Sequence, residues 1–269
     1  MEWLWKALLT AASVLLVMAI AARCGRRTAG MVAALPTVTA PALAWLAHDR
    51  GTVFAADAAV ASVASCAMLA AFAAVHARVA RHRGVAATLG CGVLGAALFA
   101  EPVVLAGSTL VASIALALFS CVLALRCMPM TPLKVPLPAR TPLVATAFAA
   151  AGLGLLSVAA ASLVGSFASG VLASLPVISG AVAAREHACA GHVGVAHFLR
   201  SYVTGLLARA SFCATFAVLV VPAGWAVASI AAALCAGGVA LLMSVVSTFR
   251  TFAHASLPAI PAFLPAPLP

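Results

Sequence analysis

Apolar residues in this chain do not alternate with polar ones. They run on in stretches of 18 or more residues, nearly free of charge, from one end to the other. A helix rises about 1.5 Å per residue, so each stretch is long enough to cross a hydrocarbon core of ~30 Å. The period-two alternation that a membrane barrel needs is missing. The pattern therefore predicts an all-α, polytopic helical membrane protein with about nine transmembrane helices. The spans fall at about 3–22, 28–47, 53–78, 84–100, 102–125, 142–162, 166–185, 192–219 and 223–247. Glu101-Pro102 is taken as the break between the fourth and fifth. Residues 1–125 then hold five helices, 126–141 form a polar, proline-rich linker, and 142–247 hold four helices. The tail, 248–269, is proline-rich and expected to be extended.

The polar residues between the runs orient this arrangement. Arg23, Arg26, Arg27, Arg78, Arg81, Arg83, Arg126, Lys134, Arg140, Arg185 and Arg250 all fall on one side if nine spans alternate. The other side receives Lys6 and Arg50 with the acidic Glu2, Asp49 and Glu101. Basic residues collect on the cytoplasmic side of inner-membrane proteins. The expectation is a multi-pass protein of the bacterial inner membrane, its N-terminus outside and its C-terminus cytoplasmic. The first apolar run carries its stronger positive charge after it, not before, so it reads as a retained helix and not as a secretory signal.

Composition narrows the class. Hydrophobic residues make up 65% and charged residues 7%, against roughly 25% charged in a soluble domain. The net charge of +10 does not imply nucleic acid as a partner, because the basic residues sit in the short clusters that membrane topology requires. The lipid bilayer is the partner expected, and a homodimer is one assembly left open. Eight cysteines are present, none in a Cys-x-x-Cys. Cys66, Cys91, Cys121, Cys213 and Cys235 lie within spans, where a cysteine acts as a small apolar residue. Cys24, Cys127 and Cys189 fall near loops expected in the cytoplasm, where thiols stay reduced.

Two segments repeat. "GRRTAGMVAALPTVTAPALAWLAHDRG" (25–51) matches "GSFASGVLASLPVISGAVAAREHACAG" (165–191) at an ungapped offset of 140 residues. Gly25, Gly30 and Gly51 fall on Gly165, Gly170 and Gly191, and Leu35-Pro36 on Leu175-Pro176. The match runs on through Val53 and Val193, Val63 and Val203, Phe72 and Phe212. The first loop holds three arginines and the second none, which places them on opposite sides. With five helices in the first unit, the second is expected to enter the membrane upside down. Such inverted-topology repeats build many secondary transporters, whose interrupted helices mark the substrate region. A proline inside a helix removes one hydrogen bond and frees a carbonyl, which in lipid needs another donor. Hydroxyls of Thr37, Thr39 and Ser179 are candidates. Pro36 and Pro176 either bend two helices or also open a path between them.

Ala29-Gly30, Leu35-Pro36-Thr37 and an apolar stretch ending at His48 resemble the GlpM family, small bacterial inner-membrane proteins of about four helices linked to alginate production. The chain looks like two such units fused with a helix inserted between them, over roughly 1–80 and 142–247. The resemblance implies an inner-membrane location and an envelope or export role, with no catalytic residue to carry over.

Candidate chemistry is sparse. Gly90-x-Gly92-x-x-Gly95 has dinucleotide-fingerprint spacing but lacks the preceding strand and the later acid; close helix packing explains it better. His187, Cys189, His192 and His197 offer zinc-type donors, but in spacings of no standard site, and read as a polar cytoplasmic loop between two helices. Arg200 reaches the cytoplasmic interface by snorkelling. Arg209 lies two turns deeper, where a charge costs roughly 2.5–3.5 kcal/mol, so it should face the bundle interior or water and favour an anion. Asp57 is either a proton carrier or a helix-start residue suited to the helix dipole. No nucleophile set or paired carboxylates appear, so an enzyme is not expected, nor a cofactor or metal. The expected function is secondary transport or export of a small solute, anionic if Arg209 faces it. Pro36, Thr37, Thr39, Pro176, Ser179 and Arg209 would line the substrate site and Asp57 would couple protons. The alternative is a non-transporting accessory protein for envelope polysaccharide production.

Overall fold

A computed structural model describes residues 28–37, 39–129, 166, 171 and 177–255. The first and sixth spans, the linker from 130, the repeat residues Gly25, Gly165, Gly170 and Pro176, and the tail from 256 lie outside the described residues. Within them the chain is helical and contains no strand. Helix α1 covers 28–34, α2 Thr39–Arg50, α3 Thr52–Ala64, α4 Cys66–Val79, α5 Val85–Ala97, α6 Ala100–Ala106 and α7 Leu110–Cys127. The helical stretch Val177–Ala255 is interrupted at Gly191 and Gly224. These glycines divide it into α8 (177–190), α9 (192–223) and α10 (225–255).

Five stretches among the described residues are long and apolar enough to cross a membrane: Thr28–Arg50, Thr52–Val79, Val85–Ala106, Leu110–Cys127 and Ser179–Val246. The outer helices carry Leu94, Leu98, Leu105, Val111, Phe119, Leu234 and Leu241 exposed, an apolar surface unlike that of a water-soluble domain. One boundary differs from expectation. The apolar stretches Val85–Ala106 and Leu110–Cys127 part not at Glu101-Pro102 but at 107–109, where Thr109 caps α7 by accepting from Ala112 N–H. Pro102 sits in the first turn of α6, where a missing N–H costs nothing because that donor has no helical partner.

Two glycines at the 140-residue offset share an unusual backbone conformation. Gly51 (φ 92°, ψ 162°) and Gly191 (φ 65°, ψ −169°) each join two helices in a conformation open essentially only to glycine. They are 140 residues apart. Gly84 and Gly224 also begin helices at that offset, but Gly84 has an ordinary φ of −69°. Gly51→Ala and Gly191→Ala should each destabilise the protein by ~1–3 kcal/mol, whereas Gly84→Ala, with open space at its Cβ position, should be near neutral. Denaturant unfolding in detergent micelles measures all three.

Helices α3–α4 and α9 form the centre. Ala55, Val63 and Cys66 share one buried cluster with Phe212, Phe216 and Val220. Leu69, Phe72 and Ala77 share another with Val195, Leu199 and Tyr202. Rising numbers in one helix meet falling numbers in the other, so these equivalent helices of the two repeats pack antiparallel. Contacts across the pair are also reciprocal. A Cβ on Gly205 would meet Met31, while Val171, the equivalent of Met31, packs on the Ala64, Ala67 and Val103 cluster. Helix α7, the extra helix of the first unit, is fastened to both α4 and α9. Its C-terminal carbonyls at Cys127 and Leu125 accept from Arg78 Nε (2.7 Å) and Arg200 Nη1 (3.1 Å). Cationic side chains suit the negative end of a helix.

Candidate functional site

The segment with Pro36 is a broken helix rather than a bend. Helix α1 stops at Ala34 and α2 starts at Thr39. Proline has no N–H for the Val32 carbonyl, and Leu35 N–H takes that carbonyl instead at 3.2 Å. Thr37 N–H turns back to the Leu35 carbonyl at 2.7 Å, and the Pro36 carbonyl accepts from Ala40 N–H at 2.7 Å. Backbone donors thus satisfy the break, and the threonine hydroxyls are not needed for it. Pro36 is buried and Thr37 half-buried.

Thr39 is released for another partner. Its hydroxyl accepts from Arg209 Nη2 at 2.5 Å, and both residues are buried. Arg209 lies midway along α9, and its charge is felt by Cys66, Tyr202 and Cys213. Cys66 lies midway along Thr52–Val79. Thr39 opens α2, whose first N–H groups give that end a partial positive charge. A guanidinium and a helix N-terminus therefore meet at mid-depth in the helical bundle. Both favour an anion, and the guanidinium's fork matches carboxylate or phosphate oxygens.

Ser179, equivalent to Thr39 in the second repeat, is also buried, beside the phenol of Tyr202. Tyr202 and Arg209 lie two turns apart on α9, so the structure draws Thr39, Ser179 and Arg209 to one helix. Pro36 and Thr37 follow through their place just before α2. Pro176 lies outside the described residues. Asp57 is exposed on α3, nine residues from Cys66 and so roughly 13 Å away along the helix axis. The structure does not bring it to Arg209.

The histidines are arranged otherwise than their spacing suggests. Among the described residues no three metal-ligating side chains converge. Cys189 and His192 are exposed, while His187 turns inward to His76, with ring centroids 6.1 Å apart. Sequence reasoning passed over Tyr202 and His76. Tyr202 is the chain's only tyrosine, set in an apolar span, and that polar singularity was the available signal. For His76 the signal lay in the repeat, which puts phenylalanine at the equivalent position, Phe216.

No family model, curated protein or solved structure matches this chain.

Proposed function

We propose that this protein is a secondary transporter or exporter of a small anionic solute in the bacterial inner membrane. The observation that carries this reading is the buried Thr39–Arg209 contact at the start of a half-helix. A charge at mid-depth in an apolar bundle is costly, and such residues usually serve a solute or ion path. Broken helices in inverted repeats commonly aim their N-termini at anionic groups of the substrate.

The antiparallel packing of α3–α4 against α9 supports inverted topology. So does the charge distribution, with Arg78, Arg81, Arg83, Arg126, Arg185 and Arg200 towards one end, Glu186 the one acid among them, and Asp49, Asp57 and Glu101 with Arg50 towards the other. In this reading the arginine-rich end is cytoplasmic and nine helices cross the bilayer. The two repeats rock against each other about Thr39, Ser179 and Arg209, with Gly51 and Gly191 joining rigid helices. In this reading the chain is also GlpM-like, on the strength of its short Leu35-Pro36-Thr37 motif.

Proteoliposomes holding the purified chain test this. Radiolabelled carboxylates, inorganic phosphate and sulfate, and small phosphate esters are offered under imposed gradients. At least one is expected to exchange well above empty vesicles, with neutral analogues excluded. Exchange of none under any gradient would count against transport and favour the accessory role.

A further inference from the structure

His76 is fully buried, and neither of its ring nitrogens has a hydrogen-bond partner among the described residues. The Nδ1 of His187 is also buried without one. Buried imidazole nitrogens are normally paired, so two such rings side by side call for a cause. His76 comes from the first repeat on α4 and His187 from the second on α8. Phe72 packs on His76 at 5.5 Å between ring centroids. A Cβ on Gly92 would meet both Phe72 and His76, so α5 closes over the pair.

The repeat shows what an apolar version of this contact looks like. The equivalents of Phe72 and His76 are Phe212 and Phe216, which stack at 6.1 Å. The equivalent of His187 is Ala47, buried in the same cluster as Phe216. One end of the bundle thus closes with phenylalanine on alanine, and the other with histidine on histidine. Packing alone does not ask for the difference, because the same architecture is built from apolar residues at the opposite end.

We propose that His76 and His187 form a proton-binding site between the two repeats, in which one proton is shared by the two imidazoles. The lone pair of one ring accepts the N–H of the other, directly or through one water, and His187 Nδ1 and one of the two His76 nitrogens gain the partner they lack. Because the rings belong to different repeats, the shared proton holds the repeats together at the arginine-rich end. A second proton would place two imidazoliums side by side and drive them apart. This deepens the transporter reading, on which it rests for its role in coupling, by assigning the coupling proton to this pair instead of Asp57.

The surroundings leave the pair to itself. Besides the pair, ionisable groups on the packed helices are Cys66 and Arg78 on α4, Cys91 on α5, Cys121, Arg126 and Cys127 on α7, Arg185, Glu186 and Cys189 on α8, and His192, His197, Arg200, Tyr202, Arg209 and Cys213 on α9. Arg78 and Arg200 are directed to carbonyls of α7, and Cys189, His192 and Arg126 are exposed. Among the described residues, His187 is the ionisable group that bears electrostatically on His76.

The test follows imidazole nitrogen resonances of the ¹⁵N-histidine-labelled full chain in lipid nanodiscs, from about pH 5 to about pH 8, the range of histidine switching. His76 and His187 are expected to titrate as a coupled pair. His187→Ala should lower the His76 midpoint by about one pH unit or more, because the lone pair that shares the proton is lost; a raised midpoint would mean simple repulsion between the rings and overturn the site. The double variant His76→Phe with His187→Ala copies the opposite end, so it should fold as wild type yet lose this proton uptake. Three other outcomes would overturn the site: a His76 signal unchanged across the range, a midpoint indifferent to His187→Ala, or a response of the pair to stoichiometric Zn²⁺ alone. Coupled titration without any solute exchange would leave the proton site standing and remove the transporter reading.

Discussion

Arg209→Gln is expected to cut solute exchange by about 30-fold or more while the protein still folds and inserts. A hydrogen bond to a charged group is worth ~1.5–3 kcal/mol, and each ~1.4 kcal/mol is a factor of ten in binding. Glutamine keeps a donor of similar reach for the Thr39 hydroxyl, so the contact between α2 and α9 has a neutral substitute. It does not replace the positive charge that an anion would meet beside the start of α2. Arg209→Lys should fall between the two, because it restores charge without the planar fork. Proteoliposome exchange, with melting temperature in detergent as the folding control, reads these variants. Equal exchange in wild type and Arg209→Gln would make Arg209 a structural arginine.

Gly205→Ala and Gly30→Ala are expected to be the most damaging small substitutions in the helical core. Helix α1 crosses α9 with backbone nearly against backbone. A Cβ on Gly205 would lie 2.7 Å from Ala34 Cβ and 2.8 Å from the Met31 carbonyl oxygen. A Cβ on Gly30 would press on the Phe198 carbonyl oxygen and stand 2.9 Å from Tyr202 N. Backbone cannot swing aside as a long side chain can, so α1 must lift from α9 over its length. Overpacking of this kind costs about 3 kcal/mol, and small residues at such crossings are what allow membrane helices to approach. The same shift would displace the Pro36 break and the start of α2. Gly237→Ala and Gly90→Ala, whose Cβ positions are open, should be tolerated. Denaturant unfolding in micelles compares the four.

Much of this fold could be read from the sequence, and for local reasons. The length of the apolar runs fixed where helices lie. Pro36 marked a break because a missing N–H acts on the residue four before it, whatever surrounds it. Gly51 and Gly191 stood out by the repeat, and a positive φ explains why glycine occupies both. Arg209 stood out because a charge in a long apolar run is costly anywhere in the bilayer.

Partners were far harder to read. Thr39 and Arg209 are 170 residues apart, and His76 and His187 face each other across two repeats. In a soluble helix the apolar stripe tells which side faces inward. These helices are apolar nearly all round, so the stripe is lost and the choice of neighbour leaves little trace in the pattern. The misplaced turn at Glu101-Pro102 has a similar origin. Proline is a stop signal inside a helix but fits its first turn, and only the neighbouring residues decide which applies.

Asp49 and Cys189 are equivalent positions of the two repeats, both exposed next to the helix junctions at Gly51 and Gly191. A membrane-impermeant maleimide, applied to inner-membrane vesicles of known sidedness, distinguishes their locations. Two cysteine-free backgrounds are needed, one carrying Asp49→Cys and one retaining Cys189. An inverted repeat requires the cysteine at 49 to label from the periplasmic face alone and Cys189 from the cytoplasmic face alone. Labelling of both from the same face would mean that the repeats run in parallel, and the inverted transporter architecture would be wrong.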